Sequence, residues 1–284
     1  MILGARAVPR LRFGATIAPD NRVLPREVGV ALTFNGTTQA VMMATPDHLT
    51  DFAYGFALTE GLARPDEIES LTLVEVDQGL DVQIWVNQAA ETRLKDRRRM
   101  MLGPVGCGLC GIDSLEQALR NVPPVAHSGF SMTPVEIKAA VAALPGQQAL
   151  HDATRAVHCA AWWCDGRLTM AREDVGRHNA LDKLAGAMVR ASTHPTGNFD
   201  VGCVLARTAP ARGAIVLTSR VSIDLVQKVA TLGAPIIIAV SSPTADAVTL
   251  AESLGITLIA QARPDSFDVY THTDRIATET EHVR

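Results

Sequence analysis

The chain has 284 residues, 47% of them hydrophobic, enough to bury a full core and to divide into two domains. A formal net charge of -4 argues against a nucleic-acid or membrane-surface binder, because both of those partners are themselves negative. The 5 cysteines, an odd number in a chain this long, do not suggest a secreted disulfide framework.

No targeting segment is read at the N-terminus, where the apolar run between Met1 and Leu11 is broken by Arg6, Pro9 and Arg10. The longest apolar run, Ala234 to Val240 with Pro235 inside it, is too short to cross a bilayer. The expected location is therefore the cytoplasm, where free thiols persist.

Residues 1–20 read as an irregular arm. Glu27 to Phe34 reads as a strand, Asn35-Gly36 as a hairpin turn and Thr37 to Met43 as the returning strand. A helix follows Pro46-Asp47, with Leu49, Phe52, Ala53, Phe56 and Ala57 on one face and Gly61 as its stop. Leu71, Leu73 and Val74 open a second strand pair; its partner alternates Leu80, Val82, Ile84 and Val86 after a turn at Gly79. Residues 21–124 thus form a small α+β domain that ends in a cysteine loop.

That loop is Gly103-Pro104-Val105-Gly106-Cys107-Gly108-Leu109-Cys110-Gly111. Its glycines suit neither a helix nor a strand, so the Cys107 and Cys110 thiols are expected on an exposed arm. Three chemistries compete for a C-x-x-C pair. Buried structural cysteines need an apolar pattern around them, and none is present. Zinc needs two further ligands, and Cys159, Cys164 and Cys203 form no second C-x-x-C. Reactive thiols fit best, with a helix expected from Asp113 or Ser114 to help hold a thiolate. Lys95-Asp96-Arg97-Arg98-Arg99 just before the loop is either a solvated face or a positive field that favours a thiolate or persulfide anion.

Pro123-Pro124 marks the domain boundary, and residues 125–284 make the second domain. Thr133-Pro134-Val135-Glu136 has the threonine, proline and glutamate of a capped helix start. Val157 to Trp163 and Leu168 to Glu173 form a hairpin about Asp165-Gly166, with Trp162 and Trp163 expected as core and surface of one strand. Helices are expected over His178–Arg190, Ser222–Leu232 and Thr244–Leu254. Strands are expected over Val201–Ala206, Ala214–Thr218, Ile236–Val240 and Ile256–Ala260. Apolar strands alternating with amphipathic helices imply an α/β fold, a mostly parallel sheet covered on both faces.

In such sheets ligands sit at the carboxyl ends of the strands, beside helix N-termini. Arg172 to Asn179, Thr218 to Ser222 and Ser241 to Thr244 are the polar junctions there. Capping accounts for Thr244, but it does not account for Arg177, His178 and Arg220, which suit a phosphate. His158, by its position in an apolar strand, reads as a hydrogen-bonded core residue, and Cys159 and Cys203 read as small buried hydrophobes.

Cys107 to Gly111, Glu173-Asp174-Val175-Gly176-Arg177-His178-Asn179-Ala180-Leu181-Asp182-Lys183 and Thr218-Ser219-Arg220 together resemble the formate dehydrogenase accessory family, FdhD/NarQ. Met42 to Pro46, the Phe52 to Gly61 helix and Val269-Tyr270-Thr271 match it too, so the resemblance runs over nearly all the chain from about residue 25. Thr154-Arg155-Ala156-Val157-His158 departs from it: the family commonly has Thr-Gly there, and the histidine is retained.

The resemblance implies a sulfurtransferase acting as a sulfur carrier. A cysteine desulfurase would pass persulfide sulfur to Cys107, assisted by Cys110. The carrier would then pass it to a molybdenum (or tungsten) cofactor bearing two pterin guanine dinucleotides, for use by formate dehydrogenase. The cofactor segment falls at Gln261, Ala262, Arg263, Pro264, Asp265 and Ser266, joined by Arg177, His178, Ser219, Arg220 and His158. The fold implied is a cytidine-deaminase-like mixed or mostly parallel sheet in a homodimer. The zinc signature of the deaminases is missing from the second domain, so no permanently bound metal is expected. A cofactor-binding chaperone without sulfur chemistry, or a zinc or dithiol redox protein, are the alternatives.

Overall fold

The structure is a computed structural model that describes residues 4–14, 16–101, 122–193 and 211–277. The cysteine loop with Cys107 and Cys110, Cys203 and the expected strand Val201–Ala206 lie outside the described residues.

The N-terminal stretch is not irregular. β1 (Ala5–Phe13) and β2 (Ile17–Pro25) pair antiparallel as a ribbon of their own. Pro9, Pro19 and Pro25 argue against a strand inside a sheet, but a two-stranded ribbon has two open edges where a missing N–H costs nothing.

β3 (Val28–Phe34), β4 (Thr37–Ala44), β5 (Ile68–Val76) and β6 (Gly79–Val86) form a four-stranded sheet in the order β4-β3-β6-β5. Asn35 and Gly36 turn the first hairpin at φ 43° and 75°, the left-handed pair that matches strand twist. One face of this sheet carries α1 (Leu49–Thr59): Phe52, Ala53 and Ala57 pack on Val30, Leu32, Val82 and Ile84. Phe52 is fully buried, so truncating it to alanine would cost about 3–5 kcal/mol. The helix stops at Gly61, whose φ of 65° lets Leu62 N–H reach back to the Ala57 carbonyl at 2.8 Å.

α2 (Gln88–Met101) follows, capped by Asn87, whose Oδ1 accepts from Ala90 N–H at 3.1 Å. The basic run therefore lies in a helix, where Lys95 pairs with Glu91 one turn back at 2.6 Å.

The second unit is a six-stranded sheet in the order β12-β11-β10-β9-β7-β8. Its strands are β7 (His158–Cys164), β8 (Arg167–Asp174), β9 (Ala214–Leu217), β10 (Ile236–Ala239), β11 (Thr257–Ala260) and β12 (Asp268–Val269). β9, β10 and β11 are parallel, while β7, β8 and β12 run antiparallel to their neighbours, so the sheet is mixed. α5 (Arg177–Thr193), α6 (Ile223–Thr231) and α7 (Ala245–Ser253) cover one face; α3 (Pro134–Ala143) covers the other. Both faces being covered, Trp162 and Trp163 are both buried, at 0% and 3% exposure, and the expectation that one would lie on the surface fails. Thr133 and Glu136 close the expected capping box on α3. α4 (Ala149–Thr154), a short helix before β7, takes its cap from Glu173, whose two carboxylate oxygens accept from Leu150 and His151 N–H at 2.8 Å each.

The two units meet where α1 crosses α5. A Cβ on Gly55 would lie 1.6 Å from the Asp182 carbonyl oxygen, and one on Gly186 would lie 1.8 Å from that of Asp51. The helices therefore touch backbone to backbone. Ion pairs fasten the crossing. Lys228 reaches Asp182 at 2.8 Å and Glu60 at 2.8 Å, while Thr59 donates to Asp182 at 2.6 Å. Burial lifts the Asp182 carboxyl; burial also works against charge on Lys228, but Asp182 and Glu60 hold that ammonium protonated. On the flank Arg172 and Arg190 both pair with the buried Asp51.

Candidate functional site at the strand ends

The parallel register puts the carboxyl ends of β9, β10 and β11 on one rim of the sheet. β7 begins on that rim and β8 ends on it, because His158 pairs with Asp174 and Ala160 with Leu217. Each strand end carries one of the polar junctions. The loops are laced together: Val221 N–H bonds Ser242 O at 3.2 Å, and Gln261 N–H bonds Ser241 O at 3.2 Å. Arg263 reaches across to the Val240 carbonyl at 2.5 Å.

Asp174 organises this rim. Its carboxylate is fully buried and accepts from Gly176 N–H at 2.8 Å, Asn179 at 3.0 Å, Thr45 N–H at 3.0 Å and Lys183 at 2.6 Å. Lys183 also donates to the Thr45 carbonyl at 2.9 Å, and Asn179 to that of Met43 at 2.9 Å. Within one stretch, then, Asp174, Asn179 and Lys183 turn inward and clamp the loop between β4 and α1. Arg177 and His178 are left at the rim.

Arg177, His178 and Arg220 all lie within electrostatic reach of His158. Burial first, then the Arg177 charge, hold the His158 imidazole below its ordinary value, with Asp174 opposing. His158 is half-buried, close to the core reading, yet it borders this cationic group. The Arg177 Nε is sealed from solvent and has no hydrogen-bond partner. A buried donor of that kind costs about 1–3 kcal/mol unless an acceptor meets it. An anion seated among these side chains and the first N–H groups of α5 would supply one.

His178 pairs with Asp224, a partner no sequence pattern announced. Burial would raise the Asp224 carboxyl, but hydrogen bonds from His178 and Ser222 hold it below the usual carboxylate range. Arg220 is exposed on the rim, whereas Ser219 is buried and its hydroxyl donates to the Arg220 carbonyl at 3.0 Å. Ser219 thus shapes the loop from behind. Gln261, Arg263, Pro264, Asp265 and Ser266 are exposed at the end of β11 and Ala262 is buried; Gln261 bends the chain there at φ 49°. These residues share the rim with Arg177 and Arg220 but stand strands away from them.

Cys159 is buried and its thiol is pushed up to about 12 by burial and Glu173, so it is inert, as a small hydrophobe would be. Cys164 is disulfide-bonded, which departs from the expectation of free thiols. Among the described residues no cluster of His, Cys, Asp and Glu is arranged to hold a metal ion, and no helix is long and apolar enough to cross a membrane.

The sequence pattern of the FdhD/NarQ family matches residues 25–277. The sulfur carrier protein FdhD of Agrobacterium fabrum is 47% identical over 268 residues, 94% of this chain and 93% of the relative. That of Brucella abortus is 48% identical over 259 residues, 90% of this chain and 91% of the relative. The crystal structure of a protein assigned as a formate dehydrogenase accessory protein, from Desulfotalea psychrophila, superposes with a TM-score of 0.72 at 25% identity. It covers 96% of this chain and 100% of its own.

Proposed function

The chain belongs to the FdhD/NarQ family, and on that footing we propose that it is a sulfur carrier serving the maturation of formate dehydrogenase. The observation that carries this reading is the basic rim of Arg177, His178 and Arg220, bordered by His158 and suited to phosphate, in a chain that also bears Cys107-x-x-Cys110. The donor is a cysteine desulfurase carrying a persulfide. The Cys107 thiolate attacks its terminal sulfur; the donor's sulfur–sulfur bond breaks as a new one forms on Cys107, and the donor keeps a thiolate. Cys110 then attacks the Cys107 sulfur and hydrosulfide leaves for the metal. Two thiolates are oxidised to a disulfide while the carried sulfur is reduced to sulfide, and a cellular dithiol restores the pair. Alternatively Cys110 relays the sulfur without forming the disulfide.

The substrate that receives sulfur is the molybdenum (or tungsten) cofactor with two pterin guanine dinucleotides. Its pyrophosphates suit Arg177, His178 and Arg220, and its guanine end suits the exposed Gln261 to Ser266 turn. The setting is a cytoplasmic homodimer. The test is incubation with the desulfurase and sulfur-labelled cysteine. One labelled sulfur should appear on Cys107, be released by reductant and be absent from Cys107→Ala. A Cys107→Ala protein that still activates formate dehydrogenase in full would replace the carrier reading with that of a chaperone.

A further inference from the structure

All of the β1–β2 ribbon but Pro25 precedes the stretch that matches the family's pattern, and nothing in sulfur carriage calls for it. Its register sorts its side chains by chemistry. Ala7, Leu11 and Phe13 project from the same face as Val23, Pro19 and Ile17 opposite them. Arg6, Arg10, Arg12 and Arg22 project from the other, with Asp20 bound to Arg10 at 2.7 Å. The apolar face is uncovered: Leu11, Phe13, Ile17 and Val23 are 57%, 73%, 63% and 39% exposed. A lone two-stranded ribbon gains little stability by itself, so bare aromatic and aliphatic side chains along it mark a contact surface.

The ribbon is moored next to the rim. A Cβ on Gly4, at the base of β1, would meet Thr45 at 2.6 Å and Asp47 at 2.9 Å, both members of the Lys183 clamp. Arg22 bonds the Thr154 carbonyl at 3.3 Å on α4, the helix capped by Glu173. A protein that grips the ribbon is therefore held beside the strand ends. The two faces also say what shape of partner fits. A bilayer takes up only one face and leaves arginines on the opposite side pointing into water, beyond the headgroups. A cleft with one apolar and one acidic wall takes up both.

We infer that the ribbon is a docking arm that enters such a cleft on the cofactor-free acceptor, formate dehydrogenase, and holds it over the rim. The identity of that acceptor rests on the sulfur-carrier reading. The test titrates the full-length protein against cofactor-free formate dehydrogenase of the same organism. It compares unaltered protein with Phe13→Ser/Ile17→Ser and with Arg6→Glu/Arg12→Glu; all four residues are solvent-exposed, so folding is unaffected. Each double variant should bind at least about tenfold more weakly, as hot-spot contacts do. Unaltered affinity in both variants overturns the inference. So does binding to vesicles of phosphatidylcholine and phosphatidylglycerol that the variants lose, or a dimer of this chain that the variants dissociate. Sulfur loading of Cys107 is measured alongside. Loading intact with acceptor binding weakened supports the arm, whereas no loading of the unaltered protein counts against the carrier reading and leaves the binding result to judge the arm.

Discussion

At the scale of single residues, the rim shows which parts of a site can be read from a chain and which cannot. Arg177, His178 and Arg220 are visible in the sequence because capping does not account for them, and strand ends gather them without any further assumption. Asp174, Asn179 and Lys183 look like part of the same polar stretch, yet their partners Thr45 and Met43 lie 129, 136 and 138 positions earlier in the chain. Only the tertiary fold separates the two roles. Arg155 is another case. It takes φ 58°, the left-handed conformation that glycine adopts most readily, which its letter does not announce. His158 gives a pH prediction. Its folded pKa lies below the ordinary 6.5, so its contribution to stability is present above that value and is lost as pH falls through the lowered one. Comparing denaturation near pH 7 and about pH 5.5, His158→Gln should lose less stability on acidification than the unaltered protein. An equal loss in both would show that the imidazole titrates as freely as in the unfolded chain.

At the scale of elements, local chemistry that needs no partner was legible. Asn35-Gly36 and Asp165-Gly166 turn their hairpins with both residues at positive φ, and Thr133 with Glu136 starts α3 as its letters indicate. The misses have physical causes. α2 is a polar helix whose one signal is the Asn87 cap, and the ribbon's prolines conceal a strong alternation because it belongs to no larger sheet. Trp162 and Trp163 were divided between core and surface because alternation cannot tell a strand covered once from one covered twice. The crossing of α1 and α5 yields a sharper expectation. Gly55→Ala and Gly186→Ala should each cost about 3 kcal/mol, since the added methyl must displace backbone. Gly146→Ala, where nothing lies within 4 Å, should be near neutral. Urea midpoints measure the difference, and a neutral Gly55→Ala would mean that the helices stand further apart.

At the scale of the whole molecule, the four- and six-stranded sheets are joined by that crossing and by three groups of ion pairs centred on the buried side chains Asp51, Asp182 and Lys183. Breaking a pair of this kind leaves a buried charge without its partner, at about 3–5 kcal/mol. The halves should therefore unfold as one. Trp85 lies in the four-stranded sheet, Trp162 and Trp163 in the six-stranded one, and these are the 3 tryptophans of the chain. Fluorescence of a Trp85→Phe protein reports the second sheet, and far-ultraviolet circular dichroism reports both. Coincident midpoints are expected; well-separated ones would show that the halves melt independently.

The first turns of α5 face two ways, toward the clamp and toward the rim. Damage at the clamp would therefore reach the rim. A lesion that frees the Thr45 loop lets the opening of α5 swing, and the guanidinium of Arg177 swings with it. In a random library, substitutions that disturb Arg177 should therefore cluster around Thr45 and Lys183 as well as along the rim itself.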